Sequence, residues 1–266
     1  MKKSLVIFTC LVGIVGCGSD TPVEMPGYTE WASVTATPVA ATPELLAHGK
    51  SVYAVRCERC HGISGDGQGP TSLYMSTPPR DFSRGLFKFR SSPSGEHPTD
   101  LDLFRTVTAG FPAYGMPRFD YLSEQDRWAL VHYVKTFIER RDEEAAQTLE
   151  IGEPPAPSDA LFAQGLEVFT KAQCGKCHGE DGRGSGPSAE GLEDGWGHPI
   201  RTLDLTSAAV YYKTGARPDD IMRTLSTGLT GTPMPSYFES GFTREELWSL
   251  AYYISSLSGE KERDSD

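Results

Sequence analysis

Apolar residues recur at helical spacing in two well-separated stretches. Trp128 with Val131 and Leu130 with Val134 mark one stripe; Trp248 with Ala251 and Leu250 with Ile254 mark another. A capping-box pattern precedes each stripe, Ser123-x-x-Asp126 in one and Thr243-x-x-Glu246 in the other. Such a box opens a helix by exchanging side-chain and backbone hydrogen bonds across its first turn. Two earlier helices are predicted to start at Thr42 and Ser158, both good caps, with Pro43 at the favoured first position of the former. Between Pro70 and Thr99 strand signals are weak and Gly, Pro and Ser are frequent, which predicts irregular loops. The pattern is that of a mainly α protein.

The elements come in two sets. Thr42, Leu45, Gly49 and Tyr53 match Ser158, Leu161, Gly165 and Phe169, 116 residues on. Cys57, Cys60, His61 and Pro70 match Cys174, Cys177, His178 and Pro187, 117 on. Gly110, Met116, Pro117 and Phe119 match Gly228, Met234, Pro235 and Tyr237, 118 on. Such an order at so constant an offset marks two homologous domains. They are expected at 42–145 and 158–259, with a Pro-rich linker at 146–157 whose Gly152-Glu153-Pro154-Pro155-Ala156-Pro157 is semi-rigid, and a charged tail at 260–266.

The first residues read as an export signal. Lys2 and Lys3 precede an apolar run from Leu5 to Gly16, 12 residues and too short to span a bilayer as a helix. The run ends in Ile14-Val15-Gly16-Cys17, which resembles a bacterial lipoprotein box. Residues 1–16 are then the signal peptide and Cys17 the lipidated first residue of the mature chain. The Pro-, Thr- and Ala-rich stretch 17–41 is expected to be a flexible tether with a reach of roughly 25–30 Å. This puts the protein on the periplasmic side of a bacterial membrane. Gly18 leaves inner and outer membrane both open.

Charge narrows the partners. The chain of 266 residues has 25 Lys plus Arg against 36 Asp plus Glu, a formal charge of −11. Removing residues 1–16 takes away two Lys and no acid, leaving −13. A nucleic acid would be repelled, whereas a partner protein with a basic docking face would be drawn in.

Four Cys remain once Cys10 is assigned to the signal and Cys17 to the lipoprotein box, and all four lie in one repeated pentapeptide: Cys57-Glu58-Arg59-Cys60-His61 and Cys174-Gly175-Lys176-Cys177-His178. This pattern reads as c-type haem attachment. Two Cys three apart on a helical turn reach the two vinyl groups of one porphyrin, and the adjacent His points at the iron. A zinc site would close four ligands in one local unit, and here the pairs lie 117 residues apart. A thioredoxin-type pair would sit in a βαβ context that the pattern lacks. The Gly-rich loops that follow, Gly62 to Gly69 and Gly179 to Gly186, lack the Lys-Ser/Thr of a phosphate loop.

With these motifs each half resembles a class I cytochrome c, from about Thr42 to Phe137 and again from about Ser158 to Leu257. The resemblance implies a few helices wrapped around a covalent haem, hence two haem c groups in all. It implies that first and last helices cross closely, Gly49 and Tyr53 against Leu130 and Tyr133, Gly165 and Phe169 against Leu250 and Tyr253. The carbonyls of Pro70 and Pro187 would accept the Nδ1–H of His61 and His178. Met116 and Met234, each followed by Pro and lying 55 and 56 residues after their His, would be the sixth iron ligands. Met222 aligns with Phe104 and reads as core; Met75 has no Met counterpart. His48, His97, His132 and His198 lack matching His in the other copy. Arg80 and Arg201, with Lys88 and Lys213 beyond them, are either partners for haem propionates or solvated charges.

Two functions follow. His/Met ligation fills both axial positions, which suits an electron carrier, free or docked on a respiratory oxidoreductase. A dihaem peroxidase or thiosulfate-oxidising cytochrome is the enzyme alternative, and it would need an open iron or a Cys ligand.

Overall fold

The computed structural model describes residues 30–139, 146–207 and 211–258. The signal segment 1–16, Cys17 and the tail 260–266 lie outside them.

Each half is built the same way. In the first, α1 (Pro43–Arg56), the short α2 (Glu58–His61), α3 (Asp100–Ala109) and α4 (Glu124–Lys135) are joined by loops. In the second, α5 (Asp159–Lys171), α6 (Gly175–His178), α7 (Pro218–Thr227) and α8 (Arg244–Leu257) repeat the order. Among the described residues β pairing is confined to two isolated bridges, Phe111 with Met116 and Glu193 with Pro199.

The helix starts have chemical causes. Thr42 and Ser158 accept from the amides of Leu45 and Leu161. Ser123 with Asp126 and Thr243 with Glu246 form complete capping boxes. A third box, Thr99 with Asp102, opens α3. In each half the first and last helices cross where a glycine stands. A methyl group on Gly49 would overlap the Ala129 carbonyl, and one on Gly165 the Ser249 carbonyl. The close approach lets Tyr53 meet Tyr133 edge-on at 5.3 Å and Phe169 meet Tyr253 at 5.5 Å. The cores then fill around fully buried Trp128, Leu130 and Phe104 in one half and Leu247, Leu250 and Met222 in the other.

The segment expected to be a tether is not loose over its whole length. Trp31 is 1% exposed. Its indole N–H donates to Thr106 Oγ1 at 2.9 Å. Arg105 of α3 and Arg223 of α7, counterparts in the repeat, each bring a guanidinium 5.2 Å from its ring. Arg105 Nε also donates to the Val34 carbonyl, and His132 Nε2 donates to the Val39 carbonyl at 2.6 Å. The physical reason is that a buried indole between two arginines offsets their mutual repulsion and seals the joint between the halves.

The linker is held at several points. Leu149 N donates to Ser91 O at 2.7 Å, Trp248 Nε1 to Ile151 O at 3.1 Å, and Tyr252 OH to Pro155 O at 2.7 Å. Side chains also bridge the halves directly. Arg90 donates to Thr227 O at 2.6 Å, Arg84 to Gly195 O at 2.7 Å, and Tyr114 OH to Tyr211 O at 2.8 Å.

Candidate haem sites

Each attachment pentapeptide is a single helical turn. His61 N donates to Cys57 O at 2.9 Å, and His178 N to Cys174 O at 2.8 Å. The turns end at Gly62 and Gly179, whose φ values of 79° and 78° are costly for other residues. The glycine loops then fold back onto the turns: Gly67 N to His61 O and Gly69 N to Cys60 O, with Gly184 N to His178 O and Gly186 N to Cys177 O in the second copy. A side chain on Gly69 or Gly186 would strike the turn's own carbonyls. The glycines therefore serve close wrapping.

None of the four cysteines is paired in a disulfide. Burial, with Cys60 nearby, pushes the Cys57 thiol up to about 12, and burial raises that of Cys174 to about 11. Burial also lowers the pKa of His61 and His178, so the imidazoles are neutral. Each ring places Nδ1 3.0 Å from a carbonyl oxygen, Arg80 O for His61 and Leu203 O for His178. A carbonyl only accepts, so Nδ1 carries the proton and Nε2 keeps a lone pair for iron. Phe82 stacks on the His61 ring at 4.5 Å.

These acceptors correct the expectation placed on Pro70 and Pro187. Both prolines are exposed, and neither lines the cavity described below. The stretch after the loop lies closer to the histidine: Phe82 N donates to Gly65 O, and Leu205 N to Gly182 O, both at 2.7 Å. That pairing sets Arg80 O and Leu203 O over the imidazoles. It also aligns Arg80 with Leu203, so Arg201 is not the structural counterpart of Arg80. Arg201 is exposed at the cavity edge. Arg80 is partly buried, with its guanidinium 4.2 Å over the ring of Trp196 in the other half.

Cys57, Cys60, His61 and Met116 line the same cavity as Cys174, Cys177, His178 and Met234. The cavity holds about 1520 Å³ and runs through both halves. Met116 and Met234 lie in matching loops: Phe111 N donates to Met116 O at 2.8 Å, and Leu229 N to Met234 O at 3.1 Å. Met222 is fully buried in the second core. His48 pairs with Asp126 at 2.5 Å, and His198 lies 3.6 Å from Asp194. Met75 also lines the cavity and packs beside Gly115.

Sequence reasoning did not find Trp196, whose indole N–H donates to Asp81 Oδ2 at 3.1 Å across the halves. It did not find the cross-domain positions of Lys88, 3.8 Å from Asp194, or of Lys213, 3.8 Å from the centre of the Tyr114 ring. Burial and neighbouring cations lower Lys213 to about 7 and Lys88 to about 8.

Two cysteines, a neutral histidine and a methionine around one hollow, twice over, define a protein built to carry covalent haem. Comparisons agree. Residues 162–258 match the family described as Cytochrome c, and residues 44–134 that described as Cytochrome C oxidase, cbb3-type, subunit III. The chain is 38% identical to a chain of the Kuenenia stuttgartiensis reducing HAO-like protein complex, with a TM-score of 0.76, covering 84% of this chain and 99% of that one. It is 26% identical over 219 residues to the Cbb3-type cytochrome c oxidase subunit CcoP of Helicobacter pylori, covering 80% of this chain and 59% of that protein's length. It is also 25% identical over 141 residues to Photosystem II extrinsic protein V of Phaeodactylum tricornutum, covering 49% of this chain and 83% of that protein. The chain belongs to the cytochrome c family, with one such domain in each half. Such domains carry covalently bound haem c and transfer electrons.

Proposed function

We propose that this chain binds two haem c groups and works as a membrane-anchored electron carrier docked in a larger redox complex. One haem is held by Cys57, Cys60 and His61 with Met116 as sixth ligand; the other by Cys174, Cys177 and His178 with Met234. The observation that carries this reading is the gathering of both ligand sets around one hollow. Bound haem supplies reversible one-electron chemistry, and filling both axial positions leaves the iron no place for substrate. The protein's own part is to fix the imidazole tautomer, wrap the attachment turn and exclude water with Phe82, Phe87 and Leu205. The units are 42–145 and 158–259, joined by 146–157.

The subunit reading draws on relatives named as a subunit of an oxidase and as part of a protein complex. The acidic balance favours a basic docking face on the partner protein. The lipoprotein box at Cys17 supports an anchor on the periplasmic side, and no helix among the described residues is long and apolar enough to cross a membrane.

Spectra of the purified holoprotein test the reading. Both irons should be low-spin when oxidised, with a sulfur-to-iron charge-transfer band. Met116→His and Met234→His should each lower one potential and leave the other nearly unchanged. A high-spin iron at rest, or sustained turnover of peroxide or thiosulfate, would favour the enzyme alternative. Cys17→Ser should release the protein into the soluble periplasmic fraction.

A further inference from the structure

Three cations meet where the halves join, with too few anions to match them. Arg80 lies over the Trp196 ring. Lys88 reaches from the first half to Asp194 of the second, Nζ–Oδ2 3.8 Å. Lys213 makes the opposite crossing: it belongs to the second half, and its ammonium sits 3.8 Å from the centre of Tyr114 and 5.6 Å from that of Phe89, both in the first. All three line the shared cavity. Lys88 and Lys213 follow the attachment sites in corresponding order, so the domains exchange lysines.

The carboxylates nearby are already engaged. Asp81 accepts from Ser83 N, Ser83 Oγ and Trp196 Nε1. Asp194 accepts from the amides of Trp196 and His198 and pairs with Lys88. Among the described residues Lys213 has two aromatic faces and no carboxylate within ion-pair distance. A partly buried ammonium repelled by two other cations is unfavourable unless an anion joins it. The aromatic faces soften that cost without removing it. Burial, and after it the neighbouring cations, lowers the pKa of both lysines. The group that the cavity fits carries anions of its own, the two carboxylate side chains of each haem.

We propose that Lys213 and Lys88, each reaching into the other domain, join Arg80 in a single cationic centre that holds carboxylates from both haems and couples the two haems electrostatically. The inference rests on the two-haem reading above. A cation near a haem favours its reduced, less positive state. A shared cation therefore raises both potentials, and the first domain's haem depends on a residue of the second.

The test is Lys213→Gln in the full-length holoprotein, with Lys213→Arg as the variant that keeps the charge. Haem content is read first, by intact mass; fewer than two haems in the wild type defeats the two-haem reading and the sharing with it, whereas two haems leave the potentials to decide the sharing alone. Redox titration then follows, with Met116→His and Met234→His used to assign each potential to its domain. In Lys213→Gln both potentials should fall, each by roughly a tenfold loss of electron affinity, ~59 mV for a one-electron couple. Lys213→Arg should restore them. A fall confined to the second domain's haem, or no fall in either, overturns the proposal. Should Lys213→Gln lose haem, loss from the first domain supports the sharing and loss from the second alone refutes it.

Discussion

The indole N–H of Trp196 donates to the carboxylate of Asp81, 3.1 Å away and in the other domain. Arg80 and Arg84 of the first domain both stack on the same ring, at 4.2 and 5.0 Å. One aromatic side chain of the second domain thus ties down three residues that flank the first haem site. Trp196→Phe keeps a ring and loses the donor, so it should cost about 1–3 kcal/mol for the carboxylate left with one partner fewer. Trp196→Ala should cost more and loosen the joint. Thermal unfolding of the holoprotein reads both, and an unchanged midpoint in Trp196→Ala would contradict this role.

Trp31 gives a second prediction. As part of a free tether it would contribute nothing to stability. Buried between Arg105 and Arg223, its loss in Trp31→Ala should cost about 3–5 kcal/mol. Denaturant unfolding measures this. Trp31→Phe should recover most of the loss, because the ring stays and only the bond to Thr106 goes.

The repeat, the helices and the attachment chemistry are legible in the sequence because each is local. Caps act within a turn, and Cys-x-x-Cys-His is complete in five residues. The histidine acceptors are not legible, because Arg80 and Leu203 contribute backbone carbonyls, which every residue type offers. Arg201 misleads for a related reason. It falls at nearly the repeat spacing, yet the Phe82 and Leu205 hydrogen bonds set the register two residues further along. Trp31 stands alone in a Pro- and Thr-rich stretch without periodicity, so no pattern marks it as buried. Trp196 and Lys213 act across the joint between domains, and that joint has no sequence signature.

Acid should weaken the last helices through their capping boxes. The Ser123 hydroxyl and His48 hold Asp126 below its ordinary range, and Lys171 with the Thr243 amide holds Glu246 below its own. A carboxyl with a lower pKa in the folded state stabilises the fold above its unfolded value and loses that contribution as pH falls through the folded one. The stabilisation is therefore present near neutrality and fades below about pH 4. Asp126→Asn and Glu246→Gln should each flatten the acid limb of a plot of unfolding midpoint against pH. Ser123→Ala, which removes the cap itself, should cost about 1 kcal/mol near neutrality.

Intact mass of the purified protein, with a pyridine haemochrome spectrum, tests the central claim most directly. The account predicts two c-type haems per chain. Cys60→Ala should reduce covalent haem at the first site alone, and Cys177→Ala at the second alone. A wild-type chain carrying one haem, or haem that extracts from both sites into acidic organic solvent, would contradict it.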